Sequence, residues 1–251
     1  MRAVRGAGKL ASRTFFLPFQ ASAAEASAAK TARVQPPLTL HGYWRSSSAY
    51  RVRIALELKG VSYRQAFVDL LHGEHHEEAH RARNPSGYVP ALDVDGTLLV
   101  ESVAIIEWLD EAFPEPPLLP RAPLDRAHVR ALAETINSGT QPLQNLWLLN
   151  HFFSADAAAK SAWGRMVIAR GLTTFEALLA RAASEGPFCS GPSPNLADVM
   201  LVPQIYNARR FGVDLEPFAR IRRAESECAQ HPAFQRAHPD VQPDAQANAK
   251  P

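Results

Sequence analysis

The segment LTLHGYWRSSSAYRVRIALELKG, residues 38–60, carries the strongest structural signal in the chain. Residues 38–43 alternate apolar and polar side chains and contain a glycine, which predicts a short β-strand followed by a turn. The three serines at positions 46–48 come next, and apolar residues at helical spacing follow them. A serine-rich start and the stop at Lys59-Gly60 predict a helix between these points.

Two further strand signals follow this helix. Residues 63–70 predict a second strand, which would be parallel to the first because a helix connects the two. Residues 89–94 predict a third strand. The turn signal Asp95-Gly96 then predicts that residues 97–100 return antiparallel to it.

The chain becomes helical after this hairpin. Glu101-Ser102 begins an amphipathic helix, and five prolines between residues 114 and 123 mark a linker near residue 120. The sequence beyond the linker contains no convincing strand pattern. We therefore predict an α+β protein with a small α/β domain at residues 37–120. An all-helical domain at residues 121–251 would follow it and end in a short disordered tail.

The composition excludes several classes of protein. The 251 residues include 27 Lys and Arg and 25 Asp and Glu, which gives a formal net charge of +2. Residues 1–36 hold six basic residues and one acid, whereas the other 215 residues hold 21 basic and 24 acidic groups, a net of −3. This distribution disfavours a nucleic-acid-binding body. No apolar run approaches the roughly 18 residues that a membrane span needs.

Cysteine content and the first 36 residues bear on the compartment. Cys189 and Cys228 are too few for a disulfide framework or a four-cysteine zinc site, so we expect a reducing compartment. Residues 1–36 are rich in Ala, Ser and Arg, which is typical of a transit peptide. A disordered extension or a start assigned upstream of the true one explains the same composition. We expect a cytoplasmic protein, with mitochondrial targeting by residues 1–36 as the alternative.

Arg45, Ser46, Ser47 and Ser48 lie where the first strand gives way to the helix. A helix N-terminus leaves N–H groups unpaired and concentrates about half a positive charge. Serine hydroxyls there can simply cap the helix. They can also join the N–H groups in stabilising an anion such as a thiolate. No cysteine is near in the sequence, so the thiol would belong to a cofactor.

Two other junctions could bind a peptide-like ligand. A cis Val89-Pro90 peptide would turn the Val89 backbone groups toward such a ligand, although an ordinary trans proline is favoured in the absence of other information. Ser102 can cap the next helix. Alternatively, Glu101 could hold the ammonium group of an α-amino acid while Ser102 holds its carboxylate.

The remaining motifs have mainly structural explanations. The segment from His76 to His80 matches the zinc motif H-E-x-x-H, with His72 before it. Its charged surroundings indicate a surface turn, and we expect no metal. Asn195 and Asp198 imitate a capping box.

Taken together, these motifs closely resemble the zeta class of glutathione transferases. The resemblance runs from about residue 38 to residue 244. The segments that carry it are Arg45-Ser46-Ser47-Ser48, Arg51-Val52-Arg53-Ile54-Ala55-Leu56, Asn84-Pro85, Val89-Pro90-Ala91-Leu92, Glu101-Ser102, Ala104-Ile105-Ile106-Glu107, Gln141-Pro142-Leu143-Gln144-Asn145, Leu201-Val202-Pro203-Gln204 and Arg210-Phe211-Gly212-Val213-Asp214-Leu215.

The resemblance implies a thioredoxin-like N-terminal domain, an all-helical C-terminal domain, a homodimer and glutathione as the cofactor. It implies that Ser46, beside Ser47 and Ser48, stabilises the glutathione thiolate. The other glutathione-binding residues that it implies are Arg51, His75, Val89, Pro90, Glu101, Ser102, Gln141 and Asn145. Arg45 and Arg210 would grip the substrate carboxylates. Ser48 is a departure, because the family usually has a cysteine there; this leaves the thiol-dependent side activities in doubt.

The implied reaction is the glutathione-dependent cis–trans isomerisation of maleylacetoacetate to fumarylacetoacetate, a step in tyrosine and phenylalanine catabolism. Maleylpyruvate is the alternative substrate. Relatives that use it place an arginine just after the position of Asn145, whereas Leu146 and Trp147 stand here, which favours the longer acid. A general glutathione transferase and a non-enzymatic interaction module are two further hypotheses for the function. No membrane or nucleic-acid partner is expected.

Overall fold

Strand β1 (Leu38–Gly42) forms the centre of a four-stranded sheet in a computed structural model that describes residues 35–182 and 186–248. Every second residue of β1 is buried, which explains the alternating pattern in the sequence. The strand order is β2-β1-β3-β4. Strand β2 (Arg64–Phe67) is parallel to β1, whereas β3 (Ala91–Val94) is antiparallel to β1 and to β4 (Thr97–Val100).

The predicted sheet is therefore confirmed, with shorter second and third strands than expected. Strand β3 begins at Ala91 and not at residue 89, because Pro90 has no N–H group with which to enter the ladder. Its first pair joins Ala91 to His41 of β1.

Helix α1 (Ser47–Lys59) follows the predicted boundaries. Ser46 is its N-cap residue, and Gly60 ends it at a φ of 63°, a left-handed conformation that glycine adopts readily. The buried residues of α1 include two arginines, Arg51 and Arg53.

The remaining described α-helices are α2 (Glu78–Arg81), α3 (Ser102–Ala112), α4 (Pro123–Asn137), α5 (Leu146–Phe153), α6 (Ala157–Arg181), α7 (Leu196–Arg210), α8 (Ala219–Gln230), α9 (Pro232–Ala237) and α10 (Pro243–Asn248). Single 3₁₀ turns lie at Glu74–His76, Gln141–Gln144 and Pro239–Val241. Helix α1 packs against α3, α7 and α9. After β4, the described residues form no further strand, only an isolated bridge between Phe188 and Gly191.

The start of α7 confirms the predicted capping box. The Asn195 side chain accepts from the backbone N–H of Ala197 at 2.9 Å, and the Asp198 carboxylate accepts from the N–H of Asn195 at 3.0 Å. Asp198 also accepts from the N–H of Cys189 at 2.9 Å. Burial raises the pKa of the Asp198 carboxyl, and these hydrogen bonds oppose the shift. Asp198 thus holds the preceding loop against the helix.

Pro36–Pro251 form one compact unit, in which one hydrophobic core joins residues of the sheet, α1 and the later helices. The division into domains at residue 120 stays a prediction. None of the helices within the described part of the chain is long and apolar enough to cross a membrane. The predicted targeting or disordered extension falls almost entirely on residues 1–34, which lie outside the described residues, as do residues 249–251.

Candidate active site

The start of α1 carries an anion-binding arrangement. The Oγ atom of Ser46 accepts from the backbone N–H of Ala49 at 3.2 Å, which commits the oxygen to the helix cap. The hydroxyl hydrogen can still be donated. The first main-chain bond of the helix runs from the Tyr50 N–H to the Ser46 carbonyl at 2.8 Å. The N–H groups of Ser47 and Ser48 lie before this bond, where a helix leaves its amides unpaired.

Arg45, which precedes this helix, lies near enough to Arg210 for the two charges to interact. Burial, and then the nearby charge of Arg45, lower the pKa of the Arg210 guanidinium. Arg210 is the last residue of α7, and its Nη1 atom donates to Oδ1 of Asn207 at 3.1 Å. The Arg45 guanidinium lies 5.4 Å from the centre of the Trp44 ring. Two adjacent cations of this kind suit a ligand with two carboxylates.

The loop before β3 contains a cis peptide bond and is held by two side chains. The Val89-Pro90 peptide is cis, so the trans form favoured from the sequence alone is wrong. The carbonyl of Tyr88 accepts from Nε2 of His80 at 2.8 Å and from Nδ2 of Asn84 at 3.0 Å, which holds the loop just before Val89. A peptide-like ligand could pair with the Val89 backbone at this point.

The start of α3 differs in detail from the prediction. Glu101, and not Ser102, occupies the N-cap position, and Ser102 is the first helical residue. The backbone of Glu101 has a φ of 67° and its side chain makes no capping bond. Such conformations cost a non-glycine residue about 1–3 kcal/mol and cluster at ligand sites. The exposed Glu101 carboxylate therefore does not cap the helix.

Arg51 lies beneath this helix start. Its side chain is only 1% exposed, and Nη1 donates to Oγ of Ser102 at 3.1 Å and to Oδ1 of Asn137 at 3.0 Å. Burial lowers the pKa of the guanidinium to about 10. The predicted part of Arg51 in glutathione binding stays a prediction. The structure shows its guanidinium buried and bonded to the Ser102 hydroxyl at the start of α3.

The two predicted residues from the helical part contact each other. Nε2 of Gln141 donates to Oδ1 of Asn145 at 2.7 Å, in the 3₁₀ turn that leads into α5. Leu146 and Trp147, which follow, are 60% and 63% exposed. The turn thus places the hydrogen-bonded amides of Gln141 and Asn145 beside two exposed apolar side chains.

The two histidines of the H-E-x-x-H motif lie in different environments. His80 is buried and its Nε2 atom is used by the Tyr88 carbonyl, whereas His76 is exposed. Among the described residues, no group of three or more His, Cys, Asp or Glu side chains is arranged to hold a metal ion. His75 is half-buried, and burial followed by the charge of His76 lowers the pKa of its imidazole.

Two contributors were missed from the sequence. The phenol of Tyr206 on α7 donates to Oδ1 of Asp240 at 3.1 Å. Burial and then the Asp240 carboxylate raise the pKa of this phenol, and the charges of Arg210 and Arg45 oppose the rise. Asn137, at the end of α4, accepts a hydrogen bond from the same Arg51 nitrogen that donates to Ser102. Neither residue belongs to a local motif, so only the folded arrangement reveals them.

Comparison with known proteins agrees with this geometry. Residues 40–117 match the glutathione S-transferase N-terminal domain family. Maleylacetoacetate isomerase from Rhizobium meliloti (strain 1021) is 46% identical over 204 residues, which cover 80% of this chain and 95% of the relative.

Two solved structures share the fold. Maleylacetoacetate isomerase from Anaeromyxobacter dehalogenans 2CP-1, with glutathione bound in its active site, is 52% identical with a TM-score of 0.77, covering 84% of this chain and 99% of that one. The holo structure of a bacterial zeta-class maleylpyruvate isomerase is 44% identical with a TM-score of 0.80, covering 82% of this chain and 99% of that one. With similarity at this level over most of its length, the chain belongs to the zeta class of glutathione transferases.

Proposed function

We propose that this protein binds glutathione and catalyses the cis–trans isomerisation of maleylacetoacetate to fumarylacetoacetate. One observation carries the proposal: a helix start suited to a thiolate lies beside two arginines suited to a dicarboxylate. Ser46 provides the hydroxyl at this helix start, and Arg45 and Arg210 provide the cations. The relatives that are named as isomerases of such acids support the same conclusion.

The residues present fit glutathione. The N–H groups at the start of α1 and the Ser46 hydroxyl would hold its sulfur as the thiolate. The Val89 backbone would pair with its peptide part, and Glu101 and Ser102 would hold its γ-glutamyl end. When bound, glutathione supplies a thiolate that adds reversibly to the cis double bond, so that the bond can rotate and return as trans.

The chain itself supplies charge stabilisation and orientation. A hydrogen bond to a charged group is worth about 1.5–3 kcal/mol, and a pKa unit corresponds to about 1.4 kcal/mol. The Ser46 hydroxyl can therefore lower a thiol pKa by about one to two units. Together with the positive end of the helix, it can bring the pKa from about 8.5 to near or below 7. Arg45 and Arg210 would hold the two carboxylates so that the double bond meets the sulfur. The reaction consumes no proton overall, so these roles suffice.

Maleylpyruvate is the second candidate substrate, because one of the similar structures is a maleylpyruvate isomerase. The exposed apolar pair Leu146 and Trp147 beside Asn145 favours the longer acid, since neither side chain carries a positive charge to grip a shorter one.

One assay tests the proposal. Purified protein with glutathione is mixed separately with each cis acid, and the change in the conjugated absorbance is followed. We expect faster turnover of maleylacetoacetate, measured as kcat/KM. Preference for maleylpyruvate would overturn the choice of substrate. Turnover of neither acid, with glutathione bound, would indicate a general transferase or a binding module.

The homodimer, the cytoplasmic location and the place in tyrosine and phenylalanine catabolism belong to the same proposal. Light scattering coupled to gel filtration tests the dimer, and a mass near that of the 27.5 kDa chain would contradict it. Imaging of a C-terminally tagged protein tests the location against mitochondrial import through residues 1–36.

A further inference from the structure

The turn that joins β1 to α1 presents two of the proposed site residues. The N–H of Ser46 donates to the carbonyl of Tyr43 at 3.0 Å, so that Trp44 and Arg45 occupy the two central positions of a tight turn. The placement of Arg45 and of the Ser46 hydroxyl therefore depends on how Trp44 is held.

The C-terminal segment, residues 237–244, reaches this turn directly. The Oδ2 atom of Asp244 accepts from the backbone N–H of Trp44 at 2.8 Å, a contact between residues 200 positions apart in sequence. Asp244 is 8% exposed, so water competes little for this bond. The carboxylate thus holds one of the two peptide groups that flank Trp44.

The same segment holds the other peptide group through Arg53. Nη2 of Arg53 donates to the Trp44 carbonyl at 2.9 Å, and Nε donates to the Ala237 carbonyl at 3.0 Å. Arg53 is 2% exposed. One buried guanidinium therefore joins the turn to the end of α9.

Further bonds give the segment a defined shape. Nε2 of Gln242 donates to the carbonyls of Arg236 and His238, both at 2.9 Å, and its Oε1 atom accepts from Nε2 of Gln65 on β2 at 2.9 Å. Gln242 is 2% exposed. Gln242 therefore attaches the segment that carries Asp244 to strand β2 and to the end of α9.

We infer that Asp244 is a positioning residue for the reaction: its carboxylate fixes Trp44 and thereby orients Arg45 and the Ser46 hydroxyl. This inference rests on the proposed function, since it assigns Asp244 to the same site. It predicts that a residue near the C-terminus, outside the substrate and glutathione contacts, controls both thiolate stabilisation and turnover.

The test compares Asp244→Ala and Asp244→Asn with a matched control. Arg236→Ala removes an ion pair with Glu57 that ties α9, immediately before this segment, to α1 without touching the turn. For each variant, circular dichroism establishes folding, a pH titration of the ultraviolet absorbance of bound glutathione gives its thiol pKa, and steady-state kinetics give kcat and KM with maleylacetoacetate.

We expect Asp244→Ala to raise the bound thiol pKa and to lower kcat roughly 10-fold, because a misplacement of about 1 Å can cost on the order of 100-fold in rate. Asp244→Asn keeps an acceptor oxygen and should recover part of both quantities. Arg236→Ala should resemble the wild type in both. If Asp244→Ala does not fold, Asp244→Asn decides, with a smaller change in the same direction expected.

A folded Asp244→Ala with the wild-type thiol pKa and kcat would overturn the inference, and so would an equal loss in Arg236→Ala. Failure of the proposed function looks different. In that case the wild type binds glutathione with a lowered thiol pKa but turns over neither cis acid, and the thiol titrations of the variants still test the positioning.

Discussion

Arg51 on α1 and Ser102 at the start of α3 are joined by a buried hydrogen bond, with Nη1 and Oγ 3.1 Å apart. The same nitrogen donates to Asn137 at the end of α4. Helix α1 begins with the serines of the proposed thiolate site, and α3 begins with the proposed γ-glutamyl site. Arg51 therefore joins the proposed thiolate site to the proposed γ-glutamyl site, and attaches both to Asn137 of α4.

Arg51→Ala should destabilise the protein by about 2–4 kcal/mol, because it leaves a cavity and removes the donor for the buried Ser102 hydroxyl and for the half-buried Asn137 amide oxygen. Arg51→Met keeps most of the volume and should cost less, yet it should still raise KM for glutathione, since Ser102 loses its support. Urea denaturation and steady-state kinetics measure the two effects. An Arg51→Ala protein as stable as the wild type would show that the buried bond contributes nothing.

Ser46→Ala should act on both folding and chemistry. Loss of the cap bond to Ala49 should cost about 1 kcal/mol of stability. Loss of the hydroxyl donor should raise the thiol pKa of bound glutathione by about one to two units, because a hydrogen bond to a charged group is worth about 1.5–3 kcal/mol. We expect kcat to fall sharply at neutral pH and to recover partly at higher pH.

Ser46→Thr is the matched control, because it keeps the hydroxyl and the ability to cap. It should retain the lowered thiol pKa measured from the ultraviolet absorbance of the bound thiolate. Unchanged isomerase activity in Ser46→Ala would remove this residue from the mechanism.

Local patterns predicted the sheet, the start and end of α1, and the capping box at Asn195 and Asp198. Each depends on residues within a few positions of one another, such as the alternation in β1 or the glycine at Gly60. A local pattern of this kind also correctly predicted that Ser46 caps α1. The sequence therefore sufficed wherever neighbouring residues decide the backbone conformation.

The burial of Arg51 and Arg53 lay beyond such reasoning. Charged residues in an amphipathic helix are expected to face water, and their partners Asn137 and Ala237 stand 86 and 184 positions away. The sequence also did not predict the positive φ of Glu101, since nothing in a glutamate side chain favours this conformation. Such a conformation persists only where the surrounding structure holds it. Long-range contacts decide these details of the candidate site.

His75 should titrate below the ordinary value of 6.5. Partial burial disfavours its charged form, and the neighbouring His76 adds to the shift. The unfolded chain then binds this proton more readily, so His75 costs the protein stability as pH falls through 6.5, and no such cost remains well above it. NMR titration of the imidazole protons measures the midpoint, and His76→Ala should bring it closer to 6.5. A midpoint above 6.5 would contradict the burial seen here.

Arg210→Ala should raise KM for the dicarboxylate by about 10- to 150-fold, the equivalent of the 1.5–3 kcal/mol of a charged hydrogen bond. It should leave the bound thiol pKa nearly unchanged, because Arg210 ends α7 and does not belong to the cap of α1. Arg210→Lys keeps the charge but loses the planar fork, so an intermediate KM is expected. Asn207→Ala, which removes the hydrogen-bond partner of Nη1 of Arg210, should raise KM for the dicarboxylate less than Arg210→Ala does. A KM for the acid equal to that of the wild type in Arg210→Ala would place the carboxylate elsewhere, whereas a raised thiol pKa in the same variant would mean that this guanidinium also stabilises the sulfur.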